Sequence, residues 1–173
     1  MIFKCWERLM PEILAKDLMK KTFLRLGPTH TIREALGLYL ELKSRNESAT
    51  VMTVLRPNGH YAGLLTLSRL IKGVLTGAIL ADLEYIRETD FEKTIYEMLH
   101  PRLDAPVTEV MDATVPLATP EHTLAQMLDL TRGRPQECFP VMAENGELTG
   151  VGYTSDLFNA VAKLALSRET ANP

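Results

Sequence analysis

Residues 107–128 read VTEVMDATVPLATPEHTLAQML, and residues 15–36, AKDLMKKTFLRLGPTHTIREAL, repeat them without a gap. Six positions are identical, pairing Met19 with Met111, Thr22 with Thr114, Pro28 with Pro120, His30 with His122, Thr31 with Thr123 and Leu36 with Leu128. A second register aligns residues 49–75 with residues 136–162 and shares seven positions, among them Asn58-Gly59 with Asn145-Gly146, Gly63 with Gly150, Ser68 with Ser155 and Leu70 with Leu157. The offset falls from 92 residues in the first block to 87 in the second, so 92 − 87 = 5 residues were gained or lost between them. The chain is two copies of one unit.

Each copy has only about 60 residues, which is marginal for an independent core, so the copies are expected to bury a shared one. With 173 residues and 46% apolar composition the whole is an ordinary globular chain. The net charge of −3 comes from 22 acidic and 19 basic residues, interspersed rather than blocked, which excludes the footprint of a nucleic-acid or anionic-membrane partner. No run approaches the roughly 18 apolar residues of a membrane span. Lys4, Glu7, Arg8, Glu12, Lys16 and Asp17 interrupt any signal-peptide core, and Cys5 and Cys138 show neither metal nor redox spacing. A cytoplasmic protein with reduced thiols is the expectation.

Residues 3–19 space Phe3, Trp6, Leu9, Met10, Ile13, Leu14, Leu18 and Met19 as an amphipathic helical lead-in. A short strand over 22–26 ends at Gly27-Pro28, and Thr31-Ile32-Arg33-Glu34 reads as a capping box opening a helix to about Lys43, with Ile32, Ala35, Leu36, Tyr39, Leu40 and Leu42 inward. Residues 50–55 and 61–65 are β-prone runs joined by Pro57-Asn58-Gly59, a hairpin signal. Ser68 is placed to cap a further helix from about Arg69 to Gly77. Residues 78–106 are spaced for helix, ending at His100-Pro101 and Ala105-Pro106. The second copy repeats the grammar: a strand near 114–118, a capping box at Thr123-Leu124-Ala125-Gln126, strands near 138–142 and 148–153, and a last helix from Asp156 to about Ser167. The division expected is a lead-in over 1–14, a first unit over 15–77, a helical connection over 78–106, a second unit over 107–168 and a frayed tail over 169–173.

This order of motifs, a segment ending in Met, Pro-x-His-Thr before a helix, an apolar strand, Asn-Gly, and Gly-x-x-x-x-x-Asp-Leu opening a final helix, resembles the CBS domain, named after cystathionine beta-synthase. Doubled, it is similar to a tandem CBS pair over residues 15–75 and 107–166. The resemblance implies an α+β fold of two β-α-β-β-α units about a pseudo-twofold axis, with adenine nucleotides or S-adenosylmethionine held in clefts between them. In the family an aspartate at the end of the Gly-x-x-x-x-x-Asp segment accepts from the ribose hydroxyls and a hydroxyl residue three positions earlier touches a phosphate. A carboxylate suits vicinal hydroxyls, and a helix start suits phosphate.

The copies depart from that pattern in opposite ways. The second keeps the aspartate as Asp156 but has Tyr153 at the hydroxyl position, with Thr154 and Ser155 adjacent. The first keeps the hydroxyl as Thr66 but has Arg69 for the aspartate. The ligand site the resemblance implies is therefore Asp156, Ser155, Thr154 and Tyr153 with Thr114, Val115, Phe139 and Pro140; a weaker second cleft would use Thr22, Met52, Thr53, Thr66, Ser68 and Arg69.

No phosphate-cradling glycine loop, nucleophile elbow or metal-spaced cluster is present, so no catalytic or metal residue is assigned and no cofactor is required. The repeated His30 and His122 read as turn residues, Cys138 as a small buried hydrophobe, and Asp156 has an alternative reading as a helix-stabilising first-turn acid. The expectation is a non-catalytic regulatory module and homodimer, acting on a protein target of unknown identity. A ligand-free dimerisation or scaffold module is the alternative.

Overall fold

The computed structural model describes residues 12–45, 51–75, 91–133 and 136–169. They group into two compact units, a central one within residues 22–115 and a terminal one drawing on residues up to 21 and from 116 onward.

In the central unit, β1 (Leu24–Leu26) runs parallel to β2 (Val51–Leu55), which pairs antiparallel with β3 (Tyr61–Thr66). The β2–β3 turn is carried by Gly59 at φ +80°, a conformation in which a side chain would be strained. Helix α2 (Ile32–Ser44) opens on the expected capping box: Glu34 N donates to Thr31 Oγ1 at 3.2 Å and Thr31 N donates to Glu34 Oε2 at 2.7 Å. Ile32 and Ala35 are fully buried, while Leu40, expected inward, is 64% exposed because it stands on the flank of the apolar stripe. Helix α3 (Leu67–Val74) begins two residues before the sequence expectation. Thr66, not Ser68, is its cap, accepting from Arg69 N, because β3 runs straight into the helix and leaves Ser68 already inside the first turn. Helix α4 (Phe91–Leu103) continues through Pro101 rather than ending there. Proline removes one bond in a last turn that has few to lose, while Leu99 and Leu103 pack on the core and Arg102 Nε donates to Gly73 O. The core they cover is Leu26, Met52, Val54, Leu65, Leu70 and Val107.

The terminal unit contains the short helix α1 (Ala15–Leu18), α5 (Leu124–Thr131), the antiparallel pair β4 (Cys138–Met142) and β5 (Leu148–Tyr153), and α6 (Thr154–Glu169). Of the helix expected over 3–19, only its last residues are described, and of these only α1 is helical. Trp6 and Cys5 lie outside the described residues, as do residues 76–77 of the first unit, 78–90 of the connection and the tail from 170. The strand expected near 114–118 is reduced to one bridge, Ala118 with Val141. In the repeat alignment Pro116 occupies the place of Leu24 and Pro140 that of Thr53, and neither proline has an N–H to give a ladder. Met127, Phe139, Val141, Val151 and Leu157 are among the buried side chains here.

In both units a segment that opens one repeat docks on the body of the other. Lys20 exchanges two backbone bonds of 2.9 Å with Val151. Ala15 N donates to His122 O at 2.8 Å, and Ile13 O accepts from Leu124 N at 3.0 Å. The central unit reproduces this with Asp112 and Leu64 at 2.7 and 2.9 Å, Val107 N to His30 O at 2.8 Å, and Ala105 O from Ile32 N at 2.9 Å. His30 and His122 hold the matching turns: each Nδ1 accepts from a backbone N–H, of Gly27 at 2.9 Å and of Thr119 at 2.7 Å. That is their use here, and it is structural.

Candidate functional site

The β5–α6 junction projects Tyr153, Thr154, Ser155 and Asp156 in succession. Tyr153 ends the strand, half-buried, and Ser155 is exposed. Thr154 is committed to closing the unit, its hydroxyl donating to Gln136 O at 2.6 Å and its N–H to Glu137 O at 3.0 Å. Asp156 lies in the first turn of α6 with a quarter of its side chain exposed. Its Oδ2 is buried and takes no hydrogen bond from the described residues, although Lys20 Nζ stands 3.5 Å away. That ammonium also lies 4.9 Å from the centre of the Tyr153 ring, a cation–π distance.

A cavity of about 630 Å³ opens beside this group, lined by Leu18, Lys20, Asp156, Asn159, Lys163 and Leu164 among others. Its size is that of a small-molecule site, and it combines apolar walls with convergent charged and amide groups. In the same unit Phe139 is 1% exposed and packs against Gly152, and Pro140 is also buried. Both act as core rather than as open lining. Thr114 and Val115 belong to the central unit. There Thr114 donates from N and Oγ1 to Asp112 Oδ1, at 2.9 and 2.8 Å, and Val115 is buried.

The residues of the weaker site are all in the central unit but are not gathered at a surface. Met52 and Thr53 are fully buried, Thr53 Oγ1 donating to Leu24 O at 3.1 Å, while Thr22 is exposed. Thr66 and Ser68 share a hydrogen bond of 2.9 Å at the start of α3. The Arg69 guanidinium is bound to the Asp112 carboxylate.

Of the lining residues only Asp156 was assigned from the sequence; Lys20, Asn159 and Lys163 are among those it missed. Asn159 and Lys163 carry no signal beyond ordinary helix polarity. Lys20 does carry one: the repeat alignment sets it against Asp112, just as it sets Asp156 against Arg69, so each of the two columns reverses its charge from one copy to the other.

Comparison with known proteins gives the same answer for the fold. The CBS domain model matches residues 107–163. A CBS domain of a CBS-domain-containing membrane protein from Sphaerobacter thermophilus superposes with a TM-score of 0.65 at 19% identity, covering 86% of this chain and 87% of that one. The cytosolic domain of the Mg2+ channel MgtE in complex with ATP gives 0.61 at 18% identity over 85% of this chain, and the chain spans only 48% of that structure's length. CBSX2 in complex with AMP gives 0.59 at 18% identity, covering 88% and 98%. None of the curated proteins compared with the chain matches it. No helix among the described residues is long and apolar enough to cross a membrane, and no metal-ligating cluster occurs among them. The chain thus carries a CBS domain over residues 107–163, and the fold of CBS-domain proteins extends over both copies.

Proposed function

We propose that the chain is a regulatory module that binds one adenosyl ligand through its terminal unit, without catalysis. The observation that carries this reading is Asp156: a part-buried carboxylate whose inner oxygen lacks a hydrogen-bond donor among the described residues, at the mouth of a cavity of ligand size. Vicinal ribose hydroxyls are the donors such an oxygen lacks. Lys20 is near enough to neutralise a phosphate on the same ligand while the ribose takes its place against Asp156. The ATP and AMP bound in the MgtE and CBSX2 structures support the ligand class.

Only one site per chain is proposed. In the central unit the cognate position is Arg69, which cannot accept from a hydroxyl, and it is tied to Asp112. Binding would favour one arrangement of the module and change the surface that a protein target meets. The protein is proposed to act as a cytoplasmic homodimer.

Calorimetric titration of the nucleotide-stripped protein with AMP, ADP, ATP and S-adenosylmethionine tests this directly. At least one is expected to bind with a stoichiometry of one per chain, and D156A is expected to weaken it by about tenfold or more, the loss of charge-assisted hydrogen bonds. Unchanged affinity in D156A would show that the site is misassigned. Absence of binding by the whole panel would leave the dimerisation or scaffold reading in its place.

A further inference from the structure

The two lead-in segments, residues 13–20 and 105–112, dock through the same backbone bonds and the same methionine. Met19 Sδ lies 2.7 Å from where a Cβ on Gly150 would stand, and Met111 Sδ lies 2.7 Å from the corresponding point on Gly63. The inward residues Ala15 and Val107 are both buried. Nothing in that shared pattern tells one lead-in from the other. Two features do.

The first is charge. Lys20 meets Asp156 in the terminal unit, whereas Asp112 meets Arg69 in the central unit. The repeat alignment puts Lys20 and Asp112 at one position and Asp156 and Arg69 at another, so the same ion pair is present twice with its polarity reversed. If the lead-ins changed places, Lys20 would face Arg69 and Asp112 would face Asp156. Both contacts would become like-charged, with Asp112 and Asp156 only 14% and 25% exposed as side chains. The second feature is a single methyl. Val110 of the lead-in lies against Gly73, where an added Cβ would come within 2.2 Å of it. The residue of the terminal unit aligned with Gly73 is Ala160, whose Cβ would fill that space.

We propose that these features form a docking code: the terminal unit accepts an extended Met-Lys segment and the central unit an extended Met-Asp segment, and each excludes the other's. Specificity here comes from repulsion built against the wrong occupant as much as from attraction to the right one. The partner selected is a segment of this chain, and the inference does not depend on any nucleotide.

Disulfide trapping tests it in a C5S background without ligand. Leu14 bridges Thr123 in the docked state, and the repeat alignment makes Thr31 the equivalent of Thr123. L14C/T123C is therefore expected to cross-link and L14C/T31C is not. Adding K20D and D112K to both is expected to move the ratio of the two products by about tenfold toward the 14–31 disulfide, the sum of two pairs changing from attractive to repulsive. Adding R69D and D156K as well, which reverses both pairs completely, is expected to restore the original ratio and the cooperative melt. The same ratio with and without K20D/D112K overturns the proposal. Should K20D/D112K not fold, recovery of folding in the fourfold variant supports the code, and failure to recover overturns it.

Discussion

The ring of Phe139 lies across Gly152 on the neighbouring strand, with two ring carbons 2.4 Å from where a Cβ would stand. The two residues are opposite one another in the β4–β5 register, and the glycine exists there because the ring needs its space. G152A is expected to destabilise the terminal unit by about 1–3 kcal/mol through overpacking, since a rigid ring inside a strand pair has nowhere to go. Urea unfolding checks this, and F139L in the same chain is expected to return part of the loss. A neutral G152A would mean the ring can move.

A softer clash tests the docking of the lead-in. A Cβ on Gly150 would meet the Met19 sulfur at 2.7 Å and the Lys20 carbonyl at 3.1 Å. The sulfur is the end of a flexible chain and can yield, but the carbonyl belongs to the bridge with Val151. G150A is expected to speed hydrogen exchange at the Lys20 and Val151 amides more than at the β4 amides. Uniform acceleration throughout the unit would instead indicate global destabilisation.

The two capping boxes are separable from everything else. T123A is expected to cost about 1 kcal/mol of stability. In the central unit, the Thr31 N–H and then its hydroxyl hold the Glu34 carboxylate below its usual range. A carboxylate whose pKa is lower folded than unfolded stabilises the fold above its unfolded pKa. That contribution fades as pH falls through the folded value. E34Q is therefore expected to flatten the acid limb of a stability–pH curve measured below about pH 5. An acid limb unchanged by E34Q would assign it to other carboxylates.

Burial, with a lesser push from the neighbouring Glu137 charge, drives the Cys138 thiol up to about 12. At pH 8 the folded protein is therefore expected to resist thiol reagents at this position. In a C5S variant, labelling should track unfolding as denaturant is raised. Rapid modification of the native state would contradict the burial of β4.

The hairpins and caps were legible because each rests on local chemistry: Asn58-Gly59 and Asn145-Gly146 for the turns, Thr31 with Glu34 and Thr123 with Gln126 for the helix starts. The places where reading and structure part are those where a neighbour decides. Leu40 fits the helical stripe but not the surface it meets, and Pro101 is carried by the packing of Leu99 and Leu103 on either side. Pro116 and Pro140 spoil a ladder only when they fall beside the same strand edge, a pairing no local pattern reveals. Asp156 was legible as a candidate through the resemblance to the CBS domain, but Lys20 was not, because periodicity says where a segment turns inward and not which copy receives it. The reversed charge at the two aligned columns was the available clue, and it becomes meaningful once Lys20 is seen beside Asp156.

The exchange of lead-ins also sets an order of synthesis. Chains emerge from the ribosome N-terminus first and fold as their units are completed. The central unit has all its parts once residue 115 is free, whereas residues 13–20 must wait for a partner that begins at residue 116. During that interval Leu14, Ala15, Leu18 and Met19 are in the open, beside a central unit whose own slot stays vacant until residues 105–112 appear. A nascent chain stalled with residue 115 clear of the ribosome is thus expected to show a protease-resistant central unit and cleavable residues 13–20, and the residues from 116 onward are what removes that vulnerability.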